Sequence, residues 1–189
     1  TLQGLPGNIK TGSDGIYIGT VPYGWSGTVV PVLTGYVFDP PSISYVSVTD
    51  AQRQQNYVAS LAQFTISGII LMNGMPVSGV TMQGLPGSPA TGPGGFYNAS
   101  LPYQWSGTVT PVKTGVTFDP PSRTYSGLAA SQANQDFTAT QIMRTIGGTV
   151  RSNGVGLPGV AFGGVAGAAP SDANGVYAIS VPYGWSGTI

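Results

Sequence analysis

Residues 96–125 read FYNASLPYQWSGTVTPVKTGVTFDPPSRTY. Residues 96–101 alternate as a half-buried strand does, and residues 106–112 resume after a Pro-Tyr-Gln-Trp corner. Residues 116–118 begin a third run, which stops at Asp119-Pro120-Pro121. Proline has no amide hydrogen to give to a ladder, so that step ends a strand. Residues 123–128 then start again. Working outward, residues 66–72 form an apolar run followed by Asn73-Gly74, a hairpin signal. Residues 80–85 read as the next strand, 86–95 as a Gly/Pro loop, and 134–140 as the last strand. No stretch has helical periodicity with caps, and residues 128–134 make one turn at most. About seven short antiparallel strands in so few residues predict an all-β chain built as a β-sandwich.

The same text recurs. Residues 27–45 (GTVVPVLTGYVFDPPSISY) match residues 107–125 without a gap at an offset of 80. Residues 66–80 match 146–160, and the corner VPYGWSGTV at 21–29 returns as LPYQWSGTV at 101–109 and VPYGWSGTI at 181–189. A solenoid unit has 20–50 residues; a period of 80 suits a small domain able to fold alone. The chain is therefore expected to hold a partial sandwich in residues 1–65, a complete one in 66–145 and a second partial one in 146–189.

Composition narrows the function. Of 189 residues 41% are apolar, enough for a core, but only 6% are charged, and six Lys and Arg offset six Asp. A neutral chain without a basic patch is a poor partner for nucleic acid or anionic membrane. No apolar run reaches the roughly 20 residues of a membrane span. Cys, His and Glu are absent, which removes disulfides, thiolate metal sites and most general-base and nucleophile arrangements. Asp39 and Asp119 recur singly before Pro-Pro and read as strand-ending turns, not as an acid/base pair. Asp14 and Asp172 sit in SDG and DANG turns, yet the equivalent GPGG at 92–95 has no carboxylate, so a calcium loop is not expected. The sequon at Asn98 has Ile18 and Ala178 as counterparts and reads as a chance match. No catalytic residue, cofactor or metal is expected.

The motifs ISG-x4-NG-x-PVSGV (66–80), TG-x2-G-x-Y (91–97), LPY…GTV (101–109) and the 107–140 tail resemble carboxypeptidase-regulatory-like, transthyretin-like repeats of bacterial secreted and surface proteins. Collagen-adhesin B-type modules are related to these. The resemblance runs along the whole chain, and its motifs are turn and core positions. It implies tandem immunoglobulin-like sandwiches used as spacer, stalk or adhesive module, extracellular or at the cell surface. Many adhesin modules carry a Lys–Asn crosslink. Here Lys10 aligns with Ala90 and Pro170, Lys113 aligns with Leu33, and the catalytic Glu has no counterpart, so no crosslink is expected.

One recurrent cluster remains: Tyr23 and Trp25, Tyr103 and Trp105, Tyr183 and Trp185. On an exposed loop these rings would form a platform for glycan contact. The structural reading has each Trp fold back, mostly buried, to plug the open end of a sandwich, and it is preferred here. Function is accordingly expected to be structural, a stalk or filament, with a glycan-binding or adhesive module contacting a glycan or host surface as the alternative. Thr1 aligns with Thr81 and Ile189 with Val109, inside strands, so both partial sandwiches would leave strand edges open. Either a longer polypeptide or a neighbouring copy is expected to complete them. Residues 146–160 correspond to the stretch missing before Thr1, which predicts head-to-tail association by strand addition.

Overall fold

A computed structural model describes all residues, Thr1 to Ile189. The chain is all-β, with seventeen strands and no helix. It divides into two compact units. The first holds Thr1–Ile66, Ser100–Gly107 and Tyr125–Ala133, and the second holds Ser67–Ala99, Thr108–Thr124 and Asn134–Ile189.

In the first unit, Leu2–Gln3, Trp25–Pro31 and Ile43–Val48 form one antiparallel sheet in that order, and Tyr36–Asp39 pairs with Val58–Leu61 in another. Alternation sets the burial: Val29 points inward at 1% exposure between exposed Thr28 and half-buried Val30. Trp25 pairs with Val48 and Gly27 with Tyr45, so a register shift lies between Trp25 and Gly27. The Pro-Tyr-Gly-Trp corner feeds into this irregular start of the strand.

Further along, Arg123–Tyr125, Gly107–Val112 and Thr81–Gln83 make a three-stranded sheet. A five-stranded sheet is centred on Gln63–Met72, which pairs with Met75–Pro76 in the hairpin that Asn73-Gly74 turns, with Phe96–Pro102, and with Phe137–Gln141. Val116–Asp119 lies outside Phe137–Gln141. Every expected strand of residues 66–140 is present, most within two residues at each end, although the last begins at Phe137 and not at 134. One expectation fails. Phe137 and Thr138 run parallel to Ile70 and Leu71, so the strands are not all antiparallel. Turn chemistry reports on neighbours joined by a hairpin; it says nothing about a strand that returns from the other sheet beside the first one.

All but four of the buried apolar side chains lie between Ile66 and Ala139; the others are Leu2, Val29, Ile179 and Val181. Ile66, Ile70, Met82, Leu101 and Val109 are fully enclosed there. Deleting one such side chain costs about 2–5 kcal/mol. In contrast, residues 16–22, equivalent to the strand Phe96–Pro102, form no strand, and Ile18 is 82% exposed. The last strands, Met143–Thr149 and Val176–Pro182, pair only with each other.

Asp39 and Asp119 end the strands Tyr36–Asp39 and Val116–Asp119, each before a cis prolyl bond. Asp14 and Asp172 act within turns: the carboxylate of Asp14 accepts from Ile16 N–H, and that of Asp172 from Asn174 and Val176 N–H. Lys113 donates to the carbonyl of Ser78 at 2.5 Å.

Candidate functional site

The Tyr/Trp corners are built alike. The amide of Trp25 donates to Pro22 O, that of Trp105 to Pro102 O and that of Trp185 to Pro182 O, at 3.0–3.1 Å. Each is a four-residue turn with Tyr second, and its third residue has φ of 75° (Gly24), 65° (Gln104) or 77° (Gly184). A positive φ there is the requirement of a type II turn, met freely by Gly and at a strain by Gln104.

Beyond the turn each indole folds over the glycine two residues on. A β-carbon at Gly27, Gly107 or Gly187 would collide with the ring of Trp25, Trp105 or Trp185. Trp25 also packs on Tyr45 (centroids 5.9 Å, 44°) and Trp105 on Tyr125 (6.1 Å, 45°), tilted contacts that ring quadrupoles favour. The intervening serine is a fastener: Ser26 Oγ accepts from Ser47 N–H and Ser106 Oγ from Gly127 N–H, both at 2.8 Å. Trp-Ser-Gly is thus an indole, a clasp for the adjoining chain and a floor for the indole. The three Trp are half-buried, so the expectation of a mostly buried plug holds only in part. All three meet their own glycine, and Trp25 and Trp105 meet a tyrosine as well.

The tyrosines go elsewhere. Tyr103 lies against Gly35, where no β-carbon would fit, and 6.4 Å from Phe64. Its amide donates to Ala62 O, while Ala62 N–H donates to Gly35 O. Tyr183 repeats this on Gly115, with its amide on Ile142 O and Ile142 N–H on Gly115 O, and Arg144 lies 5.8 Å over its ring. Tyr23 is 85% exposed. The six residues therefore do not converge on one platform. Gly35 and Gly115, each following a Thr in a Thr-Gly pair, were given no role by sequence reasoning. Each is also the third residue of a turn, with φ of 79° and 77°, closed by Tyr36 N–H on Leu33 O and Val116 N–H on Lys113 O, so one glycine serves as turn and as seat.

A second feature belongs to the first unit. A groove of about 1310 Å³ opens beside Leu2, Tyr17, Trp25, Val29, Tyr45 and Tyr57. The Tyr17 hydroxyl donates to Gln55 O (2.5 Å), Tyr45 to Gln55 Oε1 (3.3 Å) and Tyr57 to Val29 O (3.1 Å). Burial pushes the Tyr57 phenol up to about 12, helped by the charge that Tyr17 and Tyr45 would carry. Burial raises Tyr17 and Tyr45 as well. A raised phenol is a donor that stays protonated.

No family model and no solved structure matches the chain. Among curated proteins it is similar to the chitinase ChiA of Flavobacterium johnsoniae, with 31% identity over 134 residues. The match covers 66% of this chain and 8% of that protein, so the chain spans a small fraction of the length of the relative it matches.

Proposed function

We propose that the chain is a non-catalytic structural segment of an extracellular or cell-surface protein. In it, immunoglobulin-like sandwich repeats of 80 residues follow one another head to tail as a stalk or filament. The observation that carries this reading is the joint. The ring of Tyr103 sits on Gly35, and the backbone clasp through Ala62 fixes the chain between them. Tyr183, Gly115 and Ile142 do the same 80 residues later. A loose string of domains has no use for a side chain of one repeat seated on a backbone glycine of the one before it. The absence of His, Cys and Glu supports a role without chemistry. The small share of the chitinase that the match covers fits an accessory segment of a large polypeptide, and chitin hydrolysis is said of that relative alone.

Small-angle scattering tests it. The chain is expected to scatter as a stiff rod, and Tyr103→Ala with Tyr183→Ala to loosen it. A native chain that already behaves as freely jointed beads, indifferent to both substitutions, would sink the reading. The second reading, a carbohydrate-binding module, draws on the groove with Trp25 and three tyrosines and on the chitinase similarity. Titration with chitin oligosaccharides, followed by Trp fluorescence, separates the two: saturable quenching lost in Trp25→Ala favours binding.

A further inference from the structure

The sequence contains three Asn-Gly pairs: Asn73-Gly74, Asn153-Gly154 and Asn174-Gly175. In such a pair the glycine nitrogen readily attacks the asparagine side-chain amide. Glycine puts no side chain in the way, and its backbone turns freely enough to bring the two groups together. The fold treats these identical pairs in two ways.

Asn73-Gly74 and Asn153-Gly154 are the loops of two-residue hairpins. The ladders close outside them, with Met72 opposite Met75 and Ser152 opposite Val155. The φ angles are 50° and 79° in the first loop and 51° and 82° in the second, the doubly left-handed turn that Asn-Gly favours. Neither glycine amide donates a hydrogen bond, and neither asparagine side chain has a partner. Arg151 reaches Gly154 O at 3.1 Å and leaves its N–H alone. All four residues are exposed, and nothing lies within 4 Å of where a β-carbon on Gly74 or Gly154 would stand. Both loops can rotate about the asparagine without displacing a neighbour.

Asn174-Gly175 is held. Gly175 N–H donates to Asp172 O at 2.9 Å, and Gly175 O accepts from Val150 N–H at 2.8 Å. On either side, Asn174 N–H and Val176 N–H donate to the Asp172 carboxylate at 2.8 Å. Gly175 is buried, with backbone of Val150, Gly156 and Leu157 against it. Here the nucleophile is already engaged, and moving it onto the side chain would break this whole set of bonds.

We infer that Asn73 and Asn153 are sites of spontaneous deamidation, and that Asn174 is protected by the fold. The glycine nitrogen bonds to the asparagine Cγ and gives its proton to water. The Cγ–Nδ2 bond breaks, and the nitrogen takes up a proton and departs as ammonia. The five-membered imide then adds one water at either carbonyl and opens to isoaspartate or aspartate. The net change is NH2 replaced by OH, with water as the only co-reactant. Each event adds a negative charge to a chain whose six cations and six Asp cancel. Isoaspartate also routes the backbone through the side chain, adding a methylene to a loop built for two residues. The next rungs, Val77 N–H on Ile70 O and Leu157 N–H on Val150 O, both at 2.9 Å, are the ones this loosens. The inference stands on local turns and does not depend on the structural-repeat reading.

The test is incubation of the full chain in warm neutral buffer made with heavy-oxygen water, followed by isoelectric focusing and peptide mapping. Successively more acidic forms are expected. Heavy oxygen should enter at Asn73 and Asn153, with isoaspartate in excess of aspartate. Asn174 should react at least about tenfold more slowly, since it must wait for local opening. In guanidinium chloride the three sites should react at similar rates. Asn174 keeping pace in the folded chain overturns the inference, as do Asn73 and Asn153 reacting no faster than Asn98, which Ala99 follows. A difference that persists in denaturant would assign the protection to neighbouring sequence and not to the fold. Aspartate without isoaspartate would exclude the imide. The double variant Asn73→Gly, Asn153→Gly keeps residues that accept positive φ and should hold its charge constant; an unchanged acidic drift in it would also overturn the assignment.

Discussion

The indole of Trp105 lies on the α-carbon of Gly107, two residues ahead in the same chain, closely enough that a β-carbon on Gly107 would meet the ring. Tyr125 also packs on the ring, 6.1 Å between centroids. Gly107→Ala is therefore expected to lower stability by about 1–3 kcal/mol, as overpacking does. Trp105→Ala removes the ring from a half-covered site and should cost about 2 kcal/mol, below the 3–5 kcal/mol of a fully enclosed aromatic. Denaturant midpoints of the two variants check both. An unchanged midpoint in each would show that the indole is not held against the strand.

Gln104 occupies the third position of its turn at φ 65°, where Gly24 and Gly184 stand in the matching corners. Gln104→Gly removes a left-handed strain of about 1–2 kcal/mol and adds unfolded-chain entropy of about 0.4–1 kcal/mol. The expected balance is a gain of about 1 kcal/mol, read as a rise in melting temperature. A fall would mean that the side chain contributes more than its conformation costs.

Tyr17, Tyr45 and Tyr57 are raised in the folded state above their ordinary value of 10.0, Tyr57 to about 12. The fold thus favours the neutral phenol. The associated stability is complete below pH 10 and is lost as pH climbs from 10 toward 12. Alkaline unfolding followed by tyrosinate absorbance should show these residues titrating late and together with loss of β-structure. Tyr57→Phe should remove the latest-titrating component. Three ordinary titrations near pH 10 in an intact fold would contradict this.

Tyr23 is 85% exposed. Tyr23→Ala is expected to leave stability within about 0.5 kcal/mol of the native value, as exposed sites do. Tyr103→Ala, with its ring on Gly35, should lower it measurably. Equal losses in the two variants would show that the corners are equivalent and the joint is not.

The strands were legible because their signals are local. Asn73-Gly74, the Asp-Pro-Pro stops and the alternation of residues 96–101 each act within a few residues, and each lies where expected. The partners of the tyrosines were not legible. Tyr103 meets Gly35 across 68 residues, and Gly35, at φ 79° in a turn of its own, reads in the sequence as a turn glycine and not also as a seat. The half-exposure of the indoles was hidden for a similar reason: a Trp can be covered on one face by a glycine of its own strand without entering the core. The parallel return of Phe137–Gln141 depends on how the two sheets exchange strands, which no single segment encodes.

That parallel return also sets how the protein would answer a pull. The chain enters its central sheet through Gln63–Met72 and leaves through Phe137–Gln141, neighbours that run in the same direction. Tension applied through the chain draws one strand's start and the other's finish toward opposite poles. The hydrogen bonds between them are then loaded side by side in shear and are not opened one after another, and single-molecule pulling would register this as one high rupture peak, lowered by Thr138→Pro. A segment joined in series through such strands resists stretching until a whole ladder slides at once.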